Sequence, residues 1–144
     1  MRDRDDAMRE ILGYARRIAV VGLSPEPSRP SNRVARTLLH HGYEVVPVNP
    51  QAGGEVLGLS SYGSLEEIDG EIDIVDVFRR SEHLADVARS AAAVGARSLW
   101  LQSGLMSSEA RQIAESSGMD YVENRCLAVE TDRLSEEMTL PPPA

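Results

Sequence analysis

Continuous apolar runs alternate along this chain with segments in which apolar residues recur every third or fourth position. The runs are rich in Val, Ile and Leu, which is typical of strands buried on both faces of a parallel sheet. They are RIAVVGLS, YEVVPVNP, IDIVDVFRR and SLWLQSG, with MDYVENR as a weaker fifth. The intervening segments predict helices over residues 3–15, 31–42, 81–96, 107–118 and 126–138. Ser31, Ser81 and Ser107 are the expected N-caps, and Gly42 and Gly118 are expected to end helices.

Strands that alternate with helices form β-α-β units, and right-handed crossovers then build a parallel sheet. We therefore expect an α/β fold with a Rossmann-like, doubly wound, mostly parallel five-stranded sheet in three α/β/α layers. Residues 1–138 are expected to form this single domain, and residues 139–144, with three successive prolines, a frayed tail. Residues 51–70 show no period beyond one helical turn at SLEEI. In such sheets ligands bind beyond the carboxyl ends of the strands, where the strand order reverses.

Composition and charge narrow the possible functions. The 144 residues are 42% hydrophobic and 26% charged, as in ordinary globular domains. A net charge of -8 argues against nucleic-acid or anionic-membrane partners. The chain has no Lys and one Cys, and its three His lack metal-site spacing, so we expect no catalytic set and no metal site. Since no signal-like or membrane-spanning run is present, we expect a soluble cytoplasmic protein.

The loop after the first strand is a modified dinucleotide-binding turn. In the register of the G-x-G-x-x-G fingerprint, the chain has Gly22, Ser24 and Pro27, which is one glycine of three. A pyrophosphate can still bind at the N-terminus of the following helix, where free N–H groups and the helix dipole favour an anion. Side chains would then replace the lost glycine contacts, and the candidates are Ser24, Ser28, Arg29 and Ser31.

The end of the second strand also departs from NAD-binding proteins. Asn49 stands where those proteins usually place an Asp or Glu that holds the ribose hydroxyls, and a neutral amide does not repel a ribose phosphate. Arg33, in the first turn of a helix, is at the unfavourable end of the dipole unless an anion lies nearby. Both features favour a ligand with more phosphate than NAD. Two alternatives stay open: a 2′-phosphate of NADP, and Arg29, Arg33 and Arg36 as solvated surface residues.

Four segments together resemble a known family. IAVVGLSPEPSRPSNRVARTLLHHGYEVVPVNP, IDIVDVFRRSEHL, LWLQSG and NRCLAVE resemble, in this order, the stand-alone CoA-binding-domain proteins of bacteria, which are similar to the CoA-binding domain of the succinyl-CoA synthetase alpha subunit. The resemblance covers about residues 8–133 and implies non-catalytic binding of coenzyme A or an acyl-CoA. The expected partner is this small-molecule nucleotide, and no protein partner is indicated. The alternatives are an NAD(P)-binding enzyme or redox-sensing domain, and a CoA-site subunit of a larger ligase.

The resemblance also implies a set of ligand-binding residues. Those at the first loop meet the CoA phosphates, those after the second strand meet the ribose and adenine, and those after the third and fourth strands line the same cleft. They are Gly22, Leu23, Ser24, Arg29, Ser31, Val48, Asn49, Val77, Phe78, Arg79, Leu101, Gln102 and Ser103. The synthetase has a Lys just beyond the position of Pro50, whereas this chain has Ala52, so one phosphate partner is missing.

Other residues near the expected cleft have two interpretations each. Phe78 could stack on a purine or pack in the core, and Arg79 and Arg80 could neutralise phosphate or begin a solvated helix. Cys126 follows the last strand, so either a mixed disulfide with the CoA thiol or an ordinary core position is open. His83 begins another helix and is not assigned to the site.

Overall fold

The computed structural model describes residues 3–51 and 53–144. Within these residues the helices are Arg4–Tyr14 (α1), Pro30–His41 (α2), Leu84–Ala93 (α3), Ser108–Ser116 (α4) and Leu127–Leu134 (α5). The strands are Arg17–Val21 (β1), Glu44–Val48 (β2), Glu55–Val56 (β3), Leu59–Ser60 (β4), Ile74–Val77 (β5), Ser98–Leu101 (β6) and Asp120–Val122 (β7). Two short 3₁₀ segments, Leu65–Glu67 and Ser81–His83, complete the described structure.

The main sheet has five parallel strands in the order β2-β1-β5-β6-β7, which confirms the expected fold. The chain moves outward from β1 to β2 and then returns to pair β5 with the other side of β1. The direction of winding therefore reverses between β1 and β5. In doubly wound sheets the ligand crevice opens beyond the carboxyl ends of the two strands at this reversal. The turn after Val21 and the segment after Val77 consequently border the crevice.

Alternating side chains of the strands pack into two apolar layers. On β1, Ile18 and Val20 face the first core layer, which is closed by α1, α2 and α5, while Ala19 and Val21 face the second, closed by α3 and α4. Trp100 on β6 is fully buried in the first layer. Because both faces are covered, the strands have the continuous apolar runs seen in the sequence.

A short hairpin, β3–β4, precedes the segment that covers the outer edge of β2. The Tyr62 N–H donates to the Pro47 carbonyl at 3.0 Å, and the Asn49 N–H donates to the Tyr62 carbonyl at 2.9 Å. The hairpin turns at Leu57 and Gly58, with φ of 56° and 74°. The sequence analysis does not predict this hairpin, because two-residue strands are too short to show a period.

Some of the predicted helix ends are confirmed and others are wrong. Ser107 caps α4 by accepting from the Ala110 N–H, as expected, and Gly42 ends α2 with φ of 103°. The expected N-caps of the second and third helices are wrong. Arg29 takes the N-cap position of α2 because Pro30 is its first residue, and a 3₁₀ turn separates Ser81 from α3.

The C-terminal segment, residues 139–144, has no helix or strand, but it is not frayed throughout. Leu140 is only 9% exposed and belongs to the first core layer, while Pro141 lies beside Gly42. The prediction of a frayed tail neglected this apolar residue before the prolines. Among the described residues, no helix combines the length and the apolar character needed to cross a membrane.

Candidate functional site

The turn that leaves β1 depends on Gly22. Its φ is 88°, and its N–H donates to the Val48 carbonyl at 2.7 Å, which ties the turn to the end of β2. A Cβ at this position would overlap the carbonyl oxygen of Phe78. Gly22 therefore brings the ends of β1, β2 and β5 together, because only a residue without a side chain permits both the backbone conformation and the close approach.

The loop that follows, residues 24–29, is held against α2 by side chains of that helix. Ser31 Oγ accepts from the Ser24 N–H at 3.0 Å, and Asn32 Nδ2 donates to the Ser24 carbonyl at 2.9 Å. Further along, Arg36 Nη2 donates to the Pro27 carbonyl at 2.8 Å. Ser31 and Asn32 are buried, so these side-chain contacts hold the loop in the place of the two missing glycines.

Arg33 has a different place from the one the sequence suggests. Its guanidinium donates to the Ser28 carbonyl, and its side chain lies in a separate groove with Arg36 and Asp132. The unfavourable position of a cation at the start of α2 is thus explained by a contact within the loop. Ser28 takes part in this contact through its backbone carbonyl and not through its side chain.

Asn49 bridges two loops. Its Nδ2 donates to the Leu23 carbonyl at 3.0 Å, and its Oδ1 accepts from the Gln51 N–H at 2.9 Å. This position therefore requires an amide side chain, because one end must donate a hydrogen bond and the other must accept one.

We expect Asn49→Asp to destabilise the fold at neutral pH. A carboxylate keeps the bond from the Gln51 N–H but places an acceptor oxygen against the Leu23 carbonyl, so about 1–3 kcal/mol of unfolding free energy should be lost. Urea unfolding measures this loss. The control is Asn49→Ala, which removes both bonds without the repulsion. An Asp variant as stable as the wild type would contradict the bridge.

The crevice at the reversal point contains a large open cavity, called here the main cavity, with a volume of about 630 Å³. Three loop segments line it: residues 29–31 with Gly22 and Ser24 on one side, 49–51 at the end of β2, and 78–80 with His83 after β5. These segments follow the three strands β1, β2 and β5, whose ends Gly22 brings together. This is the position at which doubly wound folds bind ligands.

The main cavity is strongly cationic. Arg29, Arg79 and Arg80 line it, and none of the three makes a side-chain hydrogen bond or ion pair with any residue of the described ranges. Several arginines elsewhere in the described chain pair with acids, as Arg17 does with Glu44 at 2.7 Å. No Asp or Glu lines the main cavity within the described part of the chain. Unpaired guanidiniums in a cavity lined by no acid of the described chain, in a protein of net charge -8, favour an anionic ligand.

A smaller side cavity of about 180 Å³ lies next to the main cavity. Its apolar lining comes from Val21, Val48, Leu65 and Val87, and Pro50, Arg79 and His83 line both cavities. Glu66 and Asp86 also line the side cavity, and Asp86 Oδ1 accepts from Arg89 Nη1 at 2.7 Å. The two cavities thus differ in chemistry: one is cationic, and the other is apolar with carboxylates.

The structure brings together only part of the residue set that the resemblance implies. Those at the main cavity are Gly22, Ser24, Arg29, Ser31, Asn49, Phe78 and Arg79. Val48 lines the side cavity, whereas Leu23, Val77 and Leu101 are buried in the core. Ser103 is exposed away from both cavities. Ala52, the position of the missing Lys, lies outside the described residues.

Gln102 is buried and takes a structural role. Its Nε2 donates to Asp76 Oδ1 at 2.5 Å, while Asp76 Oδ2 has no hydrogen-bond partner among the described residues. Burial raises the pKa of Asp76 to about 7, and the bond from Gln102 opposes part of that rise. Asp76 lies on the central strand β5, two residues before Phe78, so a proton-binding carboxyl stands inside the fold near the crevice.

Phe78 combines the two interpretations left open. Its half-buried ring packs against the first core layer and also lines the main cavity. Cys126 is half-buried beside the same layer and lies at the N-cap of α5, and it lines neither cavity.

Sequence reasoning missed several residues of the main cavity. His83 was placed on a separate helix, and Pro30, Pro50 and Gln51 were not proposed. His83 lies on the 3₁₀ turn directly after β5, with its Nε2 4.0 Å from the Glu82 carboxylate. The signal for it was the charged string FRRSEH that immediately follows a buried strand.

Comparison with known proteins identifies the family of the chain. Residues 16–132 match the family of the CoA binding domain. The uncharacterized protein YneT of Bacillus subtilis (strain 168) is 45% identical over 122 residues, which are 85% of this chain and 90% of that protein. The solved structure of cell-free ID.343 from Thermus thermophilus is 38% identical with a TM-score of 0.86, over 92% of this chain and 99% of that one.

A larger protein contains a similar portion. The apo dinucleotide forming acetyl-coenzyme A synthetase 1 of Ca. Korarchaeum cryptofilum is 26% identical with a TM-score of 0.68, over 78% of this chain and 27% of the synthetase. The match to the family extends over most of the chain and includes every segment that lines the main cavity. The chain belongs to the CoA-binding domain family.

Proposed function

We propose that this protein binds coenzyme A or an acyl-CoA in the main cavity and performs no chemistry on it. The observation that carries the proposal is the set of three unpaired arginines around an acid-free cavity at the reversal point of the sheet. The family match supplies the class of ligand. Coenzyme A carries a pyrophosphate and a ribose phosphate, so its charge complements this lining.

The pyrophosphate is proposed to bind at the start of α2. Arg29 flanks this helix end, and Ser24 lies beside it, because its N–H donates to Ser31 Oγ at 3.0 Å. The Ser31 N–H is in the first turn, so it has no acceptor within the helix. The Arg29 guanidinium and the free Ser31 N–H can both donate to a phosphate oxygen. Together with the positive end of a twelve-residue helix, they favour a diphosphate here.

Selectivity against NAD is proposed to follow from the end of β2. Asn49 is engaged with Leu23 and Gln51, and no carboxylate of the described chain lines the main cavity. A ribose diol would therefore lack the acidic partner that NAD-binding folds provide.

Calorimetric titration of the full chain with CoA, acetyl-CoA and NAD tests the proposal. We expect CoA and acetyl-CoA to bind and NAD to bind much more weakly. Arg29→Ala should weaken CoA binding by about tenfold, because one charge-assisted contact to phosphate is lost. The matched control is Arg16→Ala: Arg16 is also exposed and without a side-chain partner in the described ranges, but it precedes β1 at the opposite edge of the sheet.

The outcomes separate cleanly. Equal losses for the Arg29 and Arg16 variants would mean that general charge, not the main cavity, attracts the ligand. Binding of NAD without a response to CoA would overturn the proposal. Turnover of acetyl-CoA by the purified chain would show that the non-catalytic part of it is wrong.

A further inference from the structure

The two cavities differ in the part of a nucleotide that each can accept, and the inference drawn below from this difference rests on the proposed function. The side cavity suits a flat aromatic base, because Val21, Val48 and Val87 line it and the Glu66 carboxylate can accept from an exocyclic amine. The same carboxylate would repel a phosphate. The base is therefore expected in the side cavity and the phosphates in the main cavity.

This division fixes where the ribose lies. A base in the side cavity and a pyrophosphate beside Arg29 must be joined through the residues that both cavities share, which are Pro50, Arg79 and His83. Any substituent on the ribose hydroxyls would meet the same residues. Arg79 has no side-chain partner in the described chain, and His83 has only the distant Glu82 carboxylate at 4.0 Å.

We infer that Arg79 and His83 bind a phosphate carried on the adenosine ribose of the ligand. They are the basic residues that line both cavities, so they supply positive charge where the two cavities meet. Arg33, the residue that the sequence suggested for this phosphate, is engaged with the Ser28 carbonyl instead. A planar guanidinium can bind such a phosphate through two parallel hydrogen bonds.

Two ligand pairs test this inference by calorimetry: CoA against dephospho-CoA, and NADP against NAD. We expect CoA to bind the wild-type chain about tenfold more tightly than dephospho-CoA. Arg79→Ala should remove most of this difference by weakening CoA binding more than dephospho-CoA binding, and His83→Gln should remove part of it. Arg29→Ala should weaken both ligands alike and keep the difference.

Each result has a defined meaning. Equal binding of CoA and dephospho-CoA to the wild type, or an Arg79→Ala variant that weakens both equally, would overturn the ribose-phosphate site and leave the CoA proposal standing. Preference for NADP over NAD that Arg79→Ala abolishes, with no CoA binding, would retain the site and overturn the CoA proposal. Absence of binding to all four nucleotides would overturn both. Retained dephospho-CoA binding shows that the variant is folded.

Discussion

Gly22→Ala is expected to destabilise the protein severely and to abolish nucleotide binding. Any L-residue is strained at a φ of 88°, which costs about 1–2 kcal/mol. The added Cβ would also overlap the Phe78 carbonyl oxygen, which belongs to the neighbouring strand end and cannot rotate away. The turn must shift, so the contact between β1 and β5 opens at the crevice. We expect the free energy of unfolding to fall by about 3 kcal/mol or more.

Gly104→Ala is the matched control for this variant. Gly104 has nearly the same φ, 86°, but a Cβ there would have no atom within 4 Å. The free energy of unfolding of Gly104→Ala should therefore fall only by the backbone strain of about 1–2 kcal/mol. Urea unfolding of both variants and calorimetry with CoA measure the two effects. Similar unfolding free energies for the two, with CoA binding intact in Gly22→Ala, would show that the close approach to Phe78 is unimportant.

The main sheet was predictable because its signal is local and repeated. Apolar runs such as RIAVV and DIVDV identify buried strands wherever they occur, and the polar and glycine residues that follow mark the loops. The position of the ligand crevice then follows from a general property of doubly wound sheets. Arg29 and Arg79 were found in this way, since both lie just beyond a strand or at a helix start on the crevice edge.

The roles of individual polar residues were less predictable, because they depend on neighbours distant in sequence. Asn49 and Gln102 both follow strands, and each could have faced a ligand. Asn49 lines the main cavity but its amide bonds Leu23, and the buried Gln102 bonds Asp76, each 26 residues away. A polar residue at a strand end looks the same in sequence whether it meets a ligand or another part of the chain. His83 shows the reverse error: its position at the start of another helix left it outside the predicted site, yet it lines both cavities.

Asp76→Asn is expected to remove a large pH dependence of stability. The pKa of Asp76 rises from its ordinary 3.8 to about 7 on folding, because the carboxyl is buried and only Gln102 donates to it. Between these two values the folded protein binds the proton and the unfolded chain does not. The contribution of Asp76 to the free energy of unfolding is therefore fully present below about pH 4. It is lost as the pH rises to about 7. At about 1.4 kcal/mol per pKa unit, the loss is a few kcal/mol.

The asparagine keeps an oxygen for the Gln102 donor and cannot ionise, so its contribution should not change with pH. Urea unfolding of the wild type and Asp76→Asn between pH 4.5 and about 8 should give curves that diverge, with the variant gaining relative stability at each step upward. Asp69→Asn, at an exposed acid, is the control and should run parallel to the wild type. Parallel curves for Asp76→Asn as well would mean that the buried carboxyl ionises without cost, and that a proton is not held inside the sheet at neutral pH.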